Sequence, residues 1–130
     1  PINVQWAEDN RTVGLRVPAS NPQARRVENR VVGSDANPYV ALAVTLACGY
    51  LGMKNKIEPS AEVFGAVNDL EFELPRSLGE ALTALKECPE LHEVLGPKFI
   101  QVYLAVKEAE HAEFMEVISP WERENLLLNV

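Results

Sequence analysis

The sequence has few cysteines, little positive charge and no long apolar run. Two cysteines among 130 residues are too few for a disulfide-stapled domain and indicate a reducing, cytoplasmic location. Twelve basic residues stand against nineteen acidic ones, so nucleic acid is not an expected partner, because phosphate neutralisation requires a basic surface. No apolar run approaches the ~20 residues of a membrane span, and the opening residues lack the pattern of a secretion signal. We therefore expect no membrane association.

Lysine is also missing from the first thirty residues, which instead contain five of the seven arginines. Only three acidic residues accompany these arginines, whereas the rest of the chain is strongly acidic. Arginine without lysine favours bidentate recognition of a carboxylate or a phosphate, and surface salt bridges are the structural alternative. A hydrophobic content of 47% over 130 residues is enough for one packed domain.

Two strands are predicted in the arginine-rich part of the chain. Residues 12–17 alternate between apolar and polar side chains and end at Pro18, and residues 24–32 alternate in the same way. The short connection between them, with its Ser-Asn-Pro turn, predicts an antiparallel pair.

Helices are predicted from residue 37 onward. Asn37 followed by Pro38 is typical of a helix start, and the apolar residues on every side of the helix that follows predict deep burial. Residues 57–76 show no clear period and are expected to form an irregular surface loop. Later starts are predicted at Ser77, Pro89, Pro97 and Ser119, so the fold class is α+β, an antiparallel strand pair followed by four or five helices.

Charged side chains meet on the polar faces of the two strands. Arg26, Glu28 and Arg30 alternate along the second strand, while Arg16 lies on the first strand and Arg11 at its start. A glutamate between arginines loses its proton readily and suits a hard cation such as Mg²⁺, and the arginines suit phosphate oxygens or a carboxylate. The pattern is typical of phosphoryl transfer and, equally, of a cross-strand ion-pair ladder.

The same region contains four short motifs in a fixed order, namely Asn10-Arg11-Thr12, Leu15-Arg16-Val17-Pro18, Ala24-Arg25-Arg26-Val27-Glu28-Asn29-Arg30 and Ala36-Asn37-Pro38-Tyr39. In this order and spacing they resemble the C-terminal part of the catalytic domain of the glutamine synthetase family, and residues 54–59 extend the resemblance. The resemblance implies that residues 1–130 are a C-terminal portion of that domain, with strands within 10–32 and a helical part over 37–130. The N-terminal β-grasp domain and the rest of the catalytic domain are then expected to be absent from this chain.

The resemblance also implies a role for each matching residue. Arg11 and Arg30 match catalytic arginines that hold the glutamate substrate and the phosphoryl group in transfer. Arg16 and Arg26 match arginines on the ATP side, where Gln23 stands in place of a lysine of many members. Glu28 matches a ligand of the Mg²⁺ or Mn²⁺ ion. The implied reaction is phosphorylation of the glutamate γ-carboxylate by ATP, followed by attack of ammonia on γ-glutamyl phosphate.

Several functions are consistent with the sequence at this point. The first is an intact parent enzyme that is an ATP-dependent glutamate–ammonia ligase. The second is a γ-glutamylpolyamine synthetase that uses an amine such as putrescine, and a third, of another class, is a non-catalytic anion-binding or regulatory module. The isolated chain is expected to be inert, because Glu28 alone cannot hold Mg²⁺. A homo-oligomer is expected for the intact enzyme, with the apolar segment Leu126–Val130 as a candidate contact.

Overall fold

A computed structural model describes residues 1–70 and 73–127 of the chain. The chain divides into two compact units, Pro1–Leu74 and Pro75–Val130. The first unit contains a small sheet and one long helix, and the second contains the remaining helices of the described residues. The bounds are β1 Trp6–Glu8, β2 Leu15–Val17, β3 Glu28–Asn29, α1 Pro38–Lys54, α2 Leu78–Lys86, α3 Pro89–Leu95, α4 Pro97–Met115 and α5 Pro120–Asn125. The α+β prediction is confirmed.

The sheet has the order β1-β2-β3, in which β1 runs parallel to β2 and β2 runs antiparallel to β3. The predicted antiparallel pair is confirmed, but both strands are shorter than the alternation predicts, and the pattern does not predict β1. A side chain explains the late start of β2. The Asn10 carboxamide oxygen accepts hydrogen bonds from the Thr12 backbone N–H at 2.9 Å and from the Thr12 hydroxyl at 2.8 Å, which bends the backbone away from the ladder.

The segment after α1 is irregular as predicted, but part of it is buried rather than on the surface. Val67 packs with Ala7 and Val13 in the core of the first unit. The backbone N–H of Val63 donates to the Trp6 carbonyl at 3.2 Å, and the Trp6 indole N–H donates to the Ser60 carbonyl at 2.7 Å. This segment therefore covers the outer edge of β1 without forming a regular strand, which satisfies backbone groups that an open edge would leave unpaired.

Helix α1 begins as predicted, because the Asn37 side chain accepts hydrogen bonds from the backbone N–H groups of Tyr39 and Val40. The predicted deep burial of this helix is wrong. Among the described residues of this helix, Ala47 alone is buried, whereas Tyr39 is 84% exposed and Met53 is 76% exposed. Apolar residues on every side permit burial but do not supply a partner, and the small core of the first unit does not include this helix.

The second unit is built on α4, which packs against α2 and α3. Its core consists of Leu82, Ile100 and Leu104. The predicted cap of α2 is present, since the Ser77 hydroxyl accepts from the Glu80 N–H, although the Glu80 carboxylate bonds the N–H of Arg76. At α5 both halves of the capping box are present.

The candidate contact at residues 126–130 is described only in part. Leu126 and Leu127 are exposed, and residues 128–130 lie outside the described residues. No helix within the described ranges has the length and apolar character needed to cross a bilayer.

Candidate functional site

The predicted charged residues meet where β2 faces β3. Arg16 and Glu28 are cross-strand partners in the antiparallel register, and Arg16 Nη1 donates to Glu28 Oε2 at 2.9 Å. Arg26 approaches the other carboxylate oxygen, with Nε at 3.1 Å and Nη2 at 3.0 Å from Oε1. The side chain of Arg16 is 15% exposed and that of Glu28 is 27% exposed, so the pair is partly shielded from water but keeps contact with it. The ion pairs of the ladder alternative therefore exist in this chain.

A second carboxylate completes the surroundings of Arg16. Asp9 Oδ1 pairs with Arg16 Nη2, on the side of the guanidinium away from the Glu28 contact. Asp9 follows β1 directly and has a φ of 36°, a left-handed conformation that aspartate tolerates better than most residues. The sequence pattern does not predict this contact, because the contact depends on the parallel pairing that brings Ala7 opposite Arg16.

These contacts shift the pKa values of both partners toward their charged forms. The hydrogen bond to Asp9 is the main cause that raises the pKa of Arg16, and the bond to Glu28 adds to it. The hydrogen bond from Arg16 is the main cause that lowers the pKa of Glu28; partial burial opposes this effect and Arg26 reinforces it. Glu28 is consequently a carboxylate at neutral pH, as a ligand of a cation or of a guanidinium must be.

Arg30 and Arg11 form a separate contact. Arg30 Nη2 donates to the backbone carbonyl of Arg11 at 3.1 Å, and the Arg30 backbone N–H donates to the Gly14 carbonyl at 2.8 Å. The described part of the chain therefore brings Arg26 but not Arg30 into hydrogen-bond contact with Glu28. Gln23 lies in a single 3-10 turn, Pro22–Ala24, where its side chain is exposed.

Asn10 fixes the loop that carries Asp9 and Arg11. Its amide nitrogen donates to the Gly65 carbonyl at 2.7 Å, while its oxygen accepts the two hydrogen bonds from Thr12. This role of the Asn10 side chain is not among the predictions made from the sequence. The signal for it is the Asn-Arg-Thr order itself, because asparagine commonly accepts a hydrogen bond from the backbone two residues later.

The arrangement is suited to anions rather than to a complete metal site. The Nε atoms of Arg16 and Arg30 are buried and have no hydrogen-bond partner within the described residues. Donor capacity for a phosphate or a carboxylate remains on the terminal nitrogens, which carry two N–H groups each. Across residues 1–70 and 73–127 no group of three or more histidine, cysteine, aspartate or glutamate side chains could hold a metal ion. Glu28 offers a single metal-type carboxylate.

The sequence is similar to those of known proteins of one family. Residues 1–126 match the family described as glutamine synthetase, catalytic domain. The chain is 35% identical over 132 residues to a glutamine synthetase of Methanosarcina mazei, covering 94% of this chain and 29% of that protein. It is 38% identical over 132 residues to the gamma-glutamylputrescine synthetase PuuA of Escherichia coli, covering 99% of this chain and 28% of PuuA.

A third relative is the glutamate–isopropylamine ligase of a Pseudomonas species, which is 34% identical over 124 residues and covers 92% of this chain and 27% of that protein. The chain thus spans a little over a quarter of the length of these three relatives. Because the family match runs through nearly all of the sequence, the chain belongs to the glutamine synthetase family and corresponds to part of its catalytic domain.

Proposed function

We propose that the gene encoding this chain specifies an ATP-dependent glutamate–ammonia ligase, which forms glutamine through γ-glutamyl phosphate. The match of residues 1–126 to the catalytic domain of the family carries the proposal, because the relatives that share this region are named as ligases. The arginine-rich face of the sheet supports it independently, since transfer of a phosphoryl group depends on positioning and on neutralising charge.

The proposed roles follow from where the guanidinium groups lie. Arg16 and Arg26 bracket Glu28 and would hold the phosphates of ATP, with Gln23 as a further contact on the nucleotide side. Arg30 and Arg11 are joined by the hydrogen bond to the Arg11 carbonyl and would hold the glutamate and the phosphoryl group in transfer. Two neighbouring arginine sites of this kind suit two anionic substrates that must meet.

Glu28 would contribute one ligand to a divalent cation, Mg²⁺ or Mn²⁺. Such an ion, when bound, neutralises phosphate charge. The described residues do not offer the other ligands that a hard cation requires, so these would come from other parts of the enzyme. To bind the ion, Glu28 would give up part of its pairing with Arg26, which is the more exposed of its two partners, and Arg26 would then be available to the phosphates.

A second candidate is a ligase that uses an amine in place of ammonia. The specific observation that favours it is the 38% identity to gamma-glutamylputrescine synthetase over 99% of this chain, which is no lower than the 35% identity to the glutamine synthetase of Methanosarcina mazei. Both candidates share the phosphorylation of glutamate and differ only in the nucleophile that follows.

The test is phosphate release from ATP by the product of the complete open reading frame, with glutamate and either ammonia or putrescine. We expect release to require glutamate and a divalent cation and to be faster with ammonia. Arg30→Ala should lower kcat by about a hundredfold or more, the size found when a preorganised charge contact is removed. Arg25→Ala is the matched control, because Arg25 is a neighbouring exposed arginine without a proposed role.

Other outcomes decide between the alternatives. Faster release with putrescine selects the amine ligase, whereas binding of ATP without glutamate-dependent turnover favours the non-catalytic anion-binding or regulatory module. The 130-residue chain assayed alone is expected to be inactive. A cytoplasmic location and a homo-oligomer of the intact enzyme belong to the same proposal.

A further inference from the structure

Asp9 lies in a position that the proposed roles leave unexplained. It is the second carboxylate that bonds Arg16. Asp9 directly follows β1, whereas Glu28 lies on β3, so the two carboxylates approach the guanidinium from different strands. Each terminal nitrogen of Arg16 therefore contacts one carboxylate: Nη1 contacts Glu28 and Nη2 contacts Asp9. A planar guanidinium paired at both terminal nitrogens has a fixed plane as well as a fixed position.

The remaining hydrogen-bond capacity of Arg16 is what a ligand would use. Each terminal nitrogen carries two N–H groups, so one on each side remains after the contacts with Asp9 and Glu28. With the plane fixed by two carboxylates, these donors point in fixed directions, and a triphosphate would meet them without the entropic cost of ordering a long side chain.

We propose that Asp9 is a positioning residue that holds Arg16 in the orientation that binds the triphosphate of ATP. The identity of the ligand as ATP rests on the proposed function, whereas the contact between Asp9 and Arg16 does not depend on it. The backbone at Asp9 supports a role for this residue type, since its φ of 36° favours aspartate, asparagine or glycine over other residues. Two substitutions are therefore available that do not strain the backbone.

Asp9→Asn keeps an oxygen acceptor and removes the negative charge, whereas Asp9→Gly removes the side chain altogether. If Asp9 acts by holding Arg16 in position, Asp9→Asn should retain most of the ATP binding that Asp9→Gly loses. If only the charge of Asp9 matters, both variants should behave alike and bind ATP more tightly, because each removes a carboxylate that repels phosphate. Asp69→Ala controls for loss of an exposed carboxylate from the same unit.

The first measurement is NMR of the arginine side chains in the 130-residue chain, which does not depend on activity. In the wild-type chain, Arg16 should give separate signals from its two terminal nitrogens, because pairing on both sides slows rotation of the guanidinium. Asp9→Gly should merge these signals, while Asp9→Asn and Asp69→Ala should leave them separate. Separate signals in Asp9→Gly would overturn the proposal.

The second measurement is the kinetics of the complete gene product. Asp9→Gly should raise the KM for ATP by about threefold, because the Asp9 side chain is 74% exposed and water weakens its pairing with Arg16, with little change in kcat or in the KM for glutamate. Equal effects of Asp9→Gly and Asp9→Asn, or no effect of either, would overturn the positioning role. A wild-type product without ATP-dependent ligation would instead refute the proposed function, and the NMR result would still report whether Asp9 orients Arg16.

Discussion

At the scale of single residues, Glu28 is where the catalytic and structural interpretations of the arginine face diverge. Its carboxylate is shared by Arg16 and Arg26, so its charge serves the fold in this chain even if it serves a metal ion in the enzyme. Ion pairs that keep contact with water add little to stability. A substitution that removes the charge and preserves the shape therefore separates the two interpretations.

Glu28→Gln in the complete gene product should reduce metal-dependent ATP turnover by about a hundredfold or more, because one carboxylate ligand of the cation is lost. The same substitution in the 130-residue chain should lower its melting temperature only modestly. The amide keeps one acceptor oxygen where Glu28 has two, so one arginine loses its acceptor, but a partly exposed ion pair adds little to stability. Activity against Mg²⁺ concentration and thermal melting provide the two measurements, with Asp69→Asn as control. A large drop in melting temperature with normal turnover would favour the ion-pair ladder.

The sequence predicts part of this charge arrangement and misses the rest for identifiable reasons. The pairing of Arg16 with Glu28 follows from the predicted antiparallel strands, and the register agrees. The alternation over 24–32 also predicts Arg30 beside Glu28, but β3 ends at Asn29, and Arg30 bonds the Arg11 carbonyl instead. Asp9 is missed because parallel strands are not joined by a short turn, so no local sequence signal indicates that β1 lies beside β2.

At the scale of elements, the helices are predicted far better than the strands. Asn37, Ser77 and Ser119 are N-caps whose side chains accept the predicted hydrogen bonds, and these signals are local in sequence. The strands are two or three residues long, so a period-2 pattern has little length in which to appear. The hydrogen bonds between residues 60–67 and the β1 region connect distant parts of the chain, which no local pattern can reveal.

The capping box of α5 makes the stability of that helix depend on pH. Hydrogen bonds from the Ser119 backbone N–H, chiefly, and from its side chain lower the pKa of Glu122 below its ordinary value. A carboxylate with a lowered pKa contributes stability that is fully present above its ordinary pKa and is lost as the pH falls through the lowered one. The first turn of α5 should therefore loosen in acid, below about pH 4.5.

Amide NMR of residues 119–125 against pH would follow this loosening. Glu122→Gln should remove the acid transition of α5, because the amide does not titrate. The helicity of α5 should then be the same over the whole pH range measured. Glu124→Gln is the matched control, since Glu124 lies on the same helix outside the capping box. An unchanged acid transition in Glu122→Gln would assign it to another group.

At the scale of the whole molecule, many residues that are hydrophobic in the sequence are not buried in the structure. Along α1, residues Tyr39, Leu42, Leu46, Tyr50 and Met53 are all exposed, and their spacing places them on one face of the helix. Among the described residues, the core of each unit consists of three buried aliphatic side chains. Most of the apolar content of α1 therefore does not stabilise this chain, although the composition alone suggests that it should.

Leu46→Glu should consequently leave the melting temperature of the 130-residue chain nearly unchanged, because leucine and glutamate have similar helix propensities and little packing is lost. It should also reduce binding of a hydrophobic dye. Leu82→Ala is the contrasting variant, since Leu82 packs against Ile100 and Leu104 in the second unit, and the cavity should cost about 2–5 kcal/mol.

Sedimentation of both variants should accompany the melting curves. A marked destabilisation by Leu46→Glu would mean that the exposed face of α1 is covered in solution, with a second copy of the chain as the available partner. In that case the wild-type chain should sediment as a dimer, and Leu46→Glu should sediment as a monomer at the same concentration. A monomeric wild-type chain with a stable Leu46→Glu variant would instead establish that α1 folds on its caps and backbone hydrogen bonds, with its apolar face open to water.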